Sequence, residues 1–97
     1  MQVIALRMLR EFWHEHPRAE LPLRAWHSLV SKADWSGPAD IRRMFGAADF
    51  VGDNRVIFDI GGNKYRIVAH IAYRHHRVLI KFVGKHSDYD RINPETV

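Results

Sequence analysis

The chain is predicted to fold as α+β, with two N-terminal helices packed on one face of a small, mainly antiparallel sheet. Apolar residues recur at three- and four-residue intervals as far as Ala33, then at two-residue intervals from Asp49 onward. The second pattern is interrupted by Gly61-Gly62-Asn63, which suits a tight hairpin turn. Helical periodicity followed by a run of alternating strands predicts helices laid over one side of a meander.

Each element has a local cause. Met1 to Ala5 reads as a short edge strand, and Leu6 to His16 as a helix whose apolar face is Leu6, Leu9, Phe12 and Trp13, stopped by Pro17. A second helix, from about Leu21 to Ala33, has Pro22 in its first turn and carries Leu23, Trp26, Val30 and Ala33 on one face. Ser36, Gly37 and Pro38 break the chain and open a helix of one or two turns, Ala39 to Phe45, which Ile41, Met44 and Phe45 pin down and Gly46 ends. Asp49 to Gly52 reads as a short strand closed by Asp53-Asn54. Arg55 to Ile60 and Tyr65 to Tyr73 form the arms of the hairpin, and Arg77 to Val83, after the polar tip Arg74-His75-His76, is the last strand. Trp13, Trp26 and Trp35 fall at helical or helix-end positions and are expected in the core.

A chain of 97 residues, 46% hydrophobic and 11% aromatic, is one domain and too apolar for disorder. It has no cysteine, so neither a disulfide framework nor a thiolate nucleophile is available, and a reducing, cytoplasmic location is expected. No apolar run approaches membrane-spanning length, and charges interrupt the first residues where a signal peptide would be continuously apolar. The net charge of +4 is unevenly placed. Met1 to Asn54 holds seven basic and seven acidic residues, whereas Arg55 to Arg91 holds eight basic against Asp59, Asp88 and Asp90. A surplus of five in the strand segment suggests a basic face for a polyanion.

Strand parity assigns Val56, Phe58, Ile60, Ile67, Ala69, Ile71, Val78, Ile80 and Phe82 to the helix-covered side. The opposite side collects Arg55, Ile57, Asp59, Arg66, Val68, His70, Arg77, Leu79 and Lys81, a groove or open face lined by cations with apolar residues between them. Cations match phosphate oxygens and apolar planes match unstacked bases, so this composition suits single-stranded nucleic acid. Past the last strand, where Gly84 allows a bend, Lys85-His86-Ser87-Asp88-Tyr89-Asp90-Arg91 concentrates groups that move protons or bind phosphate. A short helix there would bring His86, Tyr89 and Asp90 to one side. Histidine titrates near neutrality, and tyrosine can exchange a proton there if cations such as Arg66, Lys81 and Lys85 lower its pKa.

Two segments carry a family resemblance. The run Asn54 to Val68, NRVIFDIGGNKYRIV, and the ending Gly84 to Ile92, GKHSDYDRI, resemble the HigB-type toxins of bacterial type II toxin-antitoxin pairs, in the RelE/ParE-like superfamily. The opening Val3-Ile4 to Phe12-Trp13, with Ala33-Asp34-Trp35 and Pro38-Ala39-Asp40-Ile41, matches as well, so the likeness covers nearly the whole chain. The resemblance implies a RelE-like fold and an endoribonuclease that cuts messenger RNA, usually on the translating ribosome. It also implies a HigA-like helix-turn-helix antitoxin as partner. It assigns Arg66 to the scissile phosphate, and His86 and Tyr89 to proton transfer.

RNA supplies its own nucleophile: a deprotonated 2′-hydroxyl attacks the adjacent phosphorus and leaves a 2′,3′-cyclic phosphate. The protein then needs a base, a proton donor and positive charge matched to the transition state, and needs no metal or other cofactor. Arg66 with Lys81 and Lys85 would stabilise the phosphate, and His86 and Tyr89 would share the proton transfers. Arg55, His70, Arg77, Lys85 and Arg91 would hold the RNA. His14 with His16, and His75 with His76, lack the partners of a tetrahedral metal site. The rival reading is a non-catalytic module, including a gyrase-poisoning toxin, that uses the same basic face to bind a nucleic acid, the ribosome or a protein.

Overall fold

A computed structural model describes residues 1–97. The elements are β1 (Gln2–Ile4), α1 (Leu6–Glu15), a 3-10 turn (Pro17–Ala19), α2 (Glu20–Lys32), α3 (Pro38–Met44), β2 (Asp49–Val51), β3 (Arg55–Ile60), β4 (Tyr65–Ala72), a second 3-10 turn (Tyr73–His75), β5 (Arg77–Lys85) and α4 (His86–Tyr89). The sheet runs β1-β5-β4-β3-β2. Its central meander is antiparallel, and β1 joins β5 in parallel. Both edges are three-residue strands, too short to offer a long row of unpaired backbone groups to another chain.

The predicted α+β arrangement and the order of its elements are observed. The hairpin between β3 and β4 turns on Gly61, Gly62 and Asn63, all at positive φ (63°, 65° and 76°). On the helical side, Leu9 of α1 and Leu23, Trp26 and Val30 of α2 are buried against Val56, Phe58, Ile60, Ile67, Ala69, Ile71, Val78 and Ile80. Phe58 is the hub. Its ring centroid lies 5.4 Å from that of Trp26, 6.3 Å from Trp35 and 5.1 Å from Phe45, the separations at which aromatic pairs attract. Trp26 and Trp35 are core residues as expected. Trp13 is half-buried, with the Arg24 guanidinium 4.7 Å from its ring centroid. No helix is long and apolar enough to cross a membrane.

Two features depart from the sequence reading. Val68 pairs with Phe82 and Ala69 with Ile80, so Lys81 is an extra residue on β5 and a bulge interrupts the ladder. Parity reverses beyond it. Phe82 therefore leaves the core side, and Val83, opposite Ile67, packs against the core in its place. The strand also continues through Gly84 to Lys85 instead of bending there. A Cβ on Gly84 would stand 2.6 Å from Cζ of Phe82 and 3.2 Å from Cβ of Asp88, so glycine makes room for the Phe82 ring and α4.

The second departure is that the far face of the sheet is not open. Ile57 and Val68, which belong to it by parity, are 3% and 0% exposed and lie outside the main core cluster. Helix α4 packs on β4 and β5, and beyond it the chain turns back through hydrogen bonds from Asp90, Arg91 and Ile92 to His86, Asp88 and Tyr89. The tail ends in a turn on Asn93, and the Val97 carbonyl accepts a 3.0 Å bond from Nη2 of Arg55. The two ends of this face are thus differently furnished.

Candidate functional site

At one end, β4, β5, α4 and the Gly61–Asn63 turn meet. The register sets Arg66 opposite both Asp59 on β3 and Gly84 on β5, and sets Lys85 opposite Tyr65. The His86 N–H donates to the Lys64 carbonyl at 3.2 Å, tying the start of α4 to the hairpin. The Lys85 N–H donates to Asp88 Oδ2, also at 3.2 Å, so an acidic side chain closes the first turn of α4.

Arg66 is the centre of this corner. Nη1 of its guanidinium donates to Oδ1 of Asp59 and to Oδ1 of Asn63, and the group lies 5.5 Å from the Tyr89 ring centroid, on the cation–π scale. Tyr89 in turn faces Phe82, with ring centroids 6.5 Å apart. His86 presents Nδ1 to Oδ2 of Asp90 at 3.4 Å across one turn of helix, the spacing by which the sequence groups them. Lys85, His86 and Arg91 are exposed, and Lys81, at the bulge, is half-buried.

The Tyr89 phenol does not titrate as the sequence suggests. Burial pushes its pKa above the ordinary 10.0. The nearby Arg66 charge pulls the other way, but the carboxylates of Asp49 and Asp90 add to the upward shift. The expectation that neighbouring cations lower this pKa is corrected. A phenol shifted upward is protonated at neutral pH and can donate a hydrogen bond.

Six of the nine candidates, Arg66, Lys81, Lys85, His86, Tyr89 and Arg91, are on the part of β4, the β5 bulge and the α4 segment that form this end. Arg55, His70 and Arg77 are not with them. His70, opposite Leu79 and Arg55, lies four strand residues from Arg66, about 13 Å along the strand, and Arg77 pairs still farther on with Ala72 and Gln2. Arg77 is exposed and His70 half-buried. Arg55 is committed to the protein: its side chain is 11% exposed, Nη1 is 2.9 Å from Asp53 Oδ2, Nη2 holds Val97, and Nε is buried without a partner. The guanidinium is thus held by protein partners at both Nη atoms, in place of the free surface cation the sequence suggests.

Asp59, Asn63 and Lys64 have places in the corner that residue-by-residue reading passed over. Parity puts Asp59 on the same face as Arg66, and the short hairpin makes them direct neighbours; that pairing was the available signal. Neither cleft of the molecule is lined by these residues. The clefts lie on the helical layer, the larger of about 540 Å³ and lined by Arg10, Glu11, Trp13, His14, Glu15 and Arg24. No cluster of three or more His, Cys, Asp or Glu side chains is placed to hold a metal ion, and His76 faces Asp34 at 2.9 Å.

Comparison with known proteins gives the chain relatives. The sequence model of the HigB toxin, described as the RelE-like toxic component of a toxin-antitoxin system, matches residues 19–92, a span that includes all nine candidates. The mRNA interferase HigB of Escherichia coli O6:H1 is 28% identical over 94 residues, which are 95% of this chain and 91% of the relative. The mRNA interferase toxin HigB of Escherichia coli K12 is 25% identical over 92 residues, 93% of this chain and 88% of the relative. The mRNA interferase HigB of Shigella flexneri aligns with the same identity and coverage.

Proposed function

The chain belongs to the HigB family of RelE-like toxins, and from that premise we propose that it is an mRNA endoribonuclease that cuts translated messages on the ribosome and so arrests growth. The observation that supports this reading is the Arg66 guanidinium lying against the Tyr89 ring, with α4, tied to Lys64 at His86, carrying the exposed imidazole of His86 on the same short helix as Tyr89. A site outside either cleft suits a polymer; a small substrate would favour an enclosing pocket.

The groups divide the reaction as follows. His86, its Nδ1 facing Asp90, takes the 2′-hydroxyl proton on Nε2. The freed O2′ attacks the adjacent phosphorus while the bond to O5′ breaks, and O5′ receives a proton, for which Tyr89 is the donor at hand. The products are a 2′,3′-cyclic phosphate and a 5′-hydroxyl end. Arg66 holds the non-bridging oxygens, where charge grows in the transition state, and Lys81 and Lys85 add to the local positive potential. Lys85 and Arg91 hold the backbone at the cut, and Arg77 and His70 meet the strand farther along the sheet. No step passes through a metal. The partner is a HigA-like antitoxin, and the site of action is the cytoplasm.

Alanine substitution of Arg66 and of His86, one at a time, tests the reading on messages bound to translating ribosomes. Each folded variant is expected to lose cleavage by at least about a hundredfold. Full cleavage by either variant rejects its assigned role. Salt-sensitive RNA or ribosome binding by the unsubstituted protein, with no cleavage at all, would make it a binding module instead.

A further inference from the structure

The Arg66 guanidinium is only partly used by the protein. Nη1 has two N–H groups, and they meet two acceptors, Oδ1 of Asp59 and Oδ1 of Asn63. Nε and Nη2 have no protein partner, and neither is among the buried, unpaired nitrogens, although the side chain is only 13% exposed. The unused nitrogens form the side edge of the group, where one Nε–H and one Nη2–H point in parallel. That edge is the one that binds two oxygens of a phosphate at once.

We propose that Asp59 and Asn63 are positioning residues that hold Arg66 by Nη1 and thereby aim its Nε/Nη2 edge at the scissile phosphate. The inference rests on the reading of Arg66 as the phosphate-binding group and assigns a role to two residues that do not touch the substrate. Asp59 reaches Arg66 as its cross-strand partner. Asn63 reaches it because the positive φ of Gly61, Gly62 and Asn63 folds the hairpin back over the start of β4. The turn therefore joins two strands and also completes the hold on Arg66. Tyr89 lies against the same guanidinium, so the group is restrained by a ring as well as by its two acceptors.

An ordinary cross-strand ion pair would have the opposite consequence. If Asp59 merely neutralised Arg66, removing the carboxylate would free the cation for RNA, and turnover would hold or rise. If Asp59 aims Arg66, its removal leaves the charge in place but loosens its geometry, which lowers turnover without weakening RNA binding.

The test is the kinetics of the full chain on ribosome-bound message, with RNA affinity and thermal unfolding measured on the same samples. Asp59→Ala is expected to reduce kcat by about tenfold or more, with RNA affinity equal or tighter because an acid has left a basic surface. Asp59→Asn keeps an oxygen acceptor and is expected to recover most of the loss. Asn63→Gly removes the second acceptor while tolerating the positive φ, and should give a smaller drop of the same kind. Unchanged or increased kcat in Asp59→Ala overturns the proposal, as does a loss that Asp59→Asn fails to rescue. If Asp59→Ala unfolds, the Asn63→Gly drop decides alone. Arg66→Ala separates the two levels: if it cleaves normally the parent reading fails, and if it is inactive while Asp59→Ala and Asn63→Gly keep full kcat, only the positioning role fails.

Discussion

Arg55 and Arg66 sit on adjacent strands, on the same face of one sheet, at its two ends. Each is largely enclosed, at 11% and 13% side-chain exposure, and each has an aspartate on Nη1. They differ in what else the guanidinium meets. Arg55 gives Nη2 to the Val97 carbonyl and has Nε buried, so it ties the tail across the sheet. Arg66 has Nε and Nη2 without a protein partner and the Tyr89 ring beside it. Residue type and strand parity are alike at the two positions; what differs is the segment that meets each guanidinium, the tail at Arg55 and α4 with the hairpin turn at Arg66.

Substitution should break this symmetry. Arg66→Ala is expected to lower cleavage by about 100- to 1000-fold, the scale on which a transition-state donor is lost. Tyr89→Phe keeps the ring that lies against Arg66 and removes only the proton, so a fall of about a hundredfold with unchanged RNA affinity is expected from single-turnover rates. Arg55→Ala should do the reverse: kcat preserved, stability reduced by about 1–3 kcal/mol in denaturant unfolding, and faster proteolysis of the tail.

Two smaller effects sharpen the contrast. Burial raises the phenol pKa of Tyr73 and of Tyr89, so the unfolded chain ionises these groups first as pH rises. Their contribution to stability is full below about 10 and is lost as pH climbs through the raised values. Tyr89→Phe should flatten that alkaline loss. In RNA binding, Lys85→Ala is expected to reduce the slope of log affinity against log salt by about one, whereas Arg55→Ala leaves it unchanged.

Much of this was legible in the sequence. The spacing of Leu23, Trp26 and Val30 gave the buried face of α2, and Gly61-Gly62-Asn63 gave the turn, from which the Arg66–Asp59 pairing follows once the hairpin register is counted out. Three things were not legible, for physical reasons. The bulge at Lys81 is a mismatch between two strands, and no residue within β5 announces it; Phe82 looks like a core residue until the partner strand is known. Ile57 and Val68 are buried on a face where α4 packs on β4 and β5 and Val97 meets Arg55, and Ile92 to Val97 have no periodicity to announce where they go. The direction of the Tyr89 shift depends on burial outweighing an adjacent arginine, a balance that a list of nearby charges misses.

If the Arg66 corner cuts RNA by using the RNA's own 2′-hydroxyl, the ends it leaves carry the signature of that chemistry. Purified protein, translating ribosomes and a defined message should yield 5′ fragments ending in a 2′,3′-cyclic phosphate and 3′ fragments beginning with a 5′-hydroxyl. Intact message, or fragments with 3′-hydroxyl and 5′-phosphate ends, would contradict this reading.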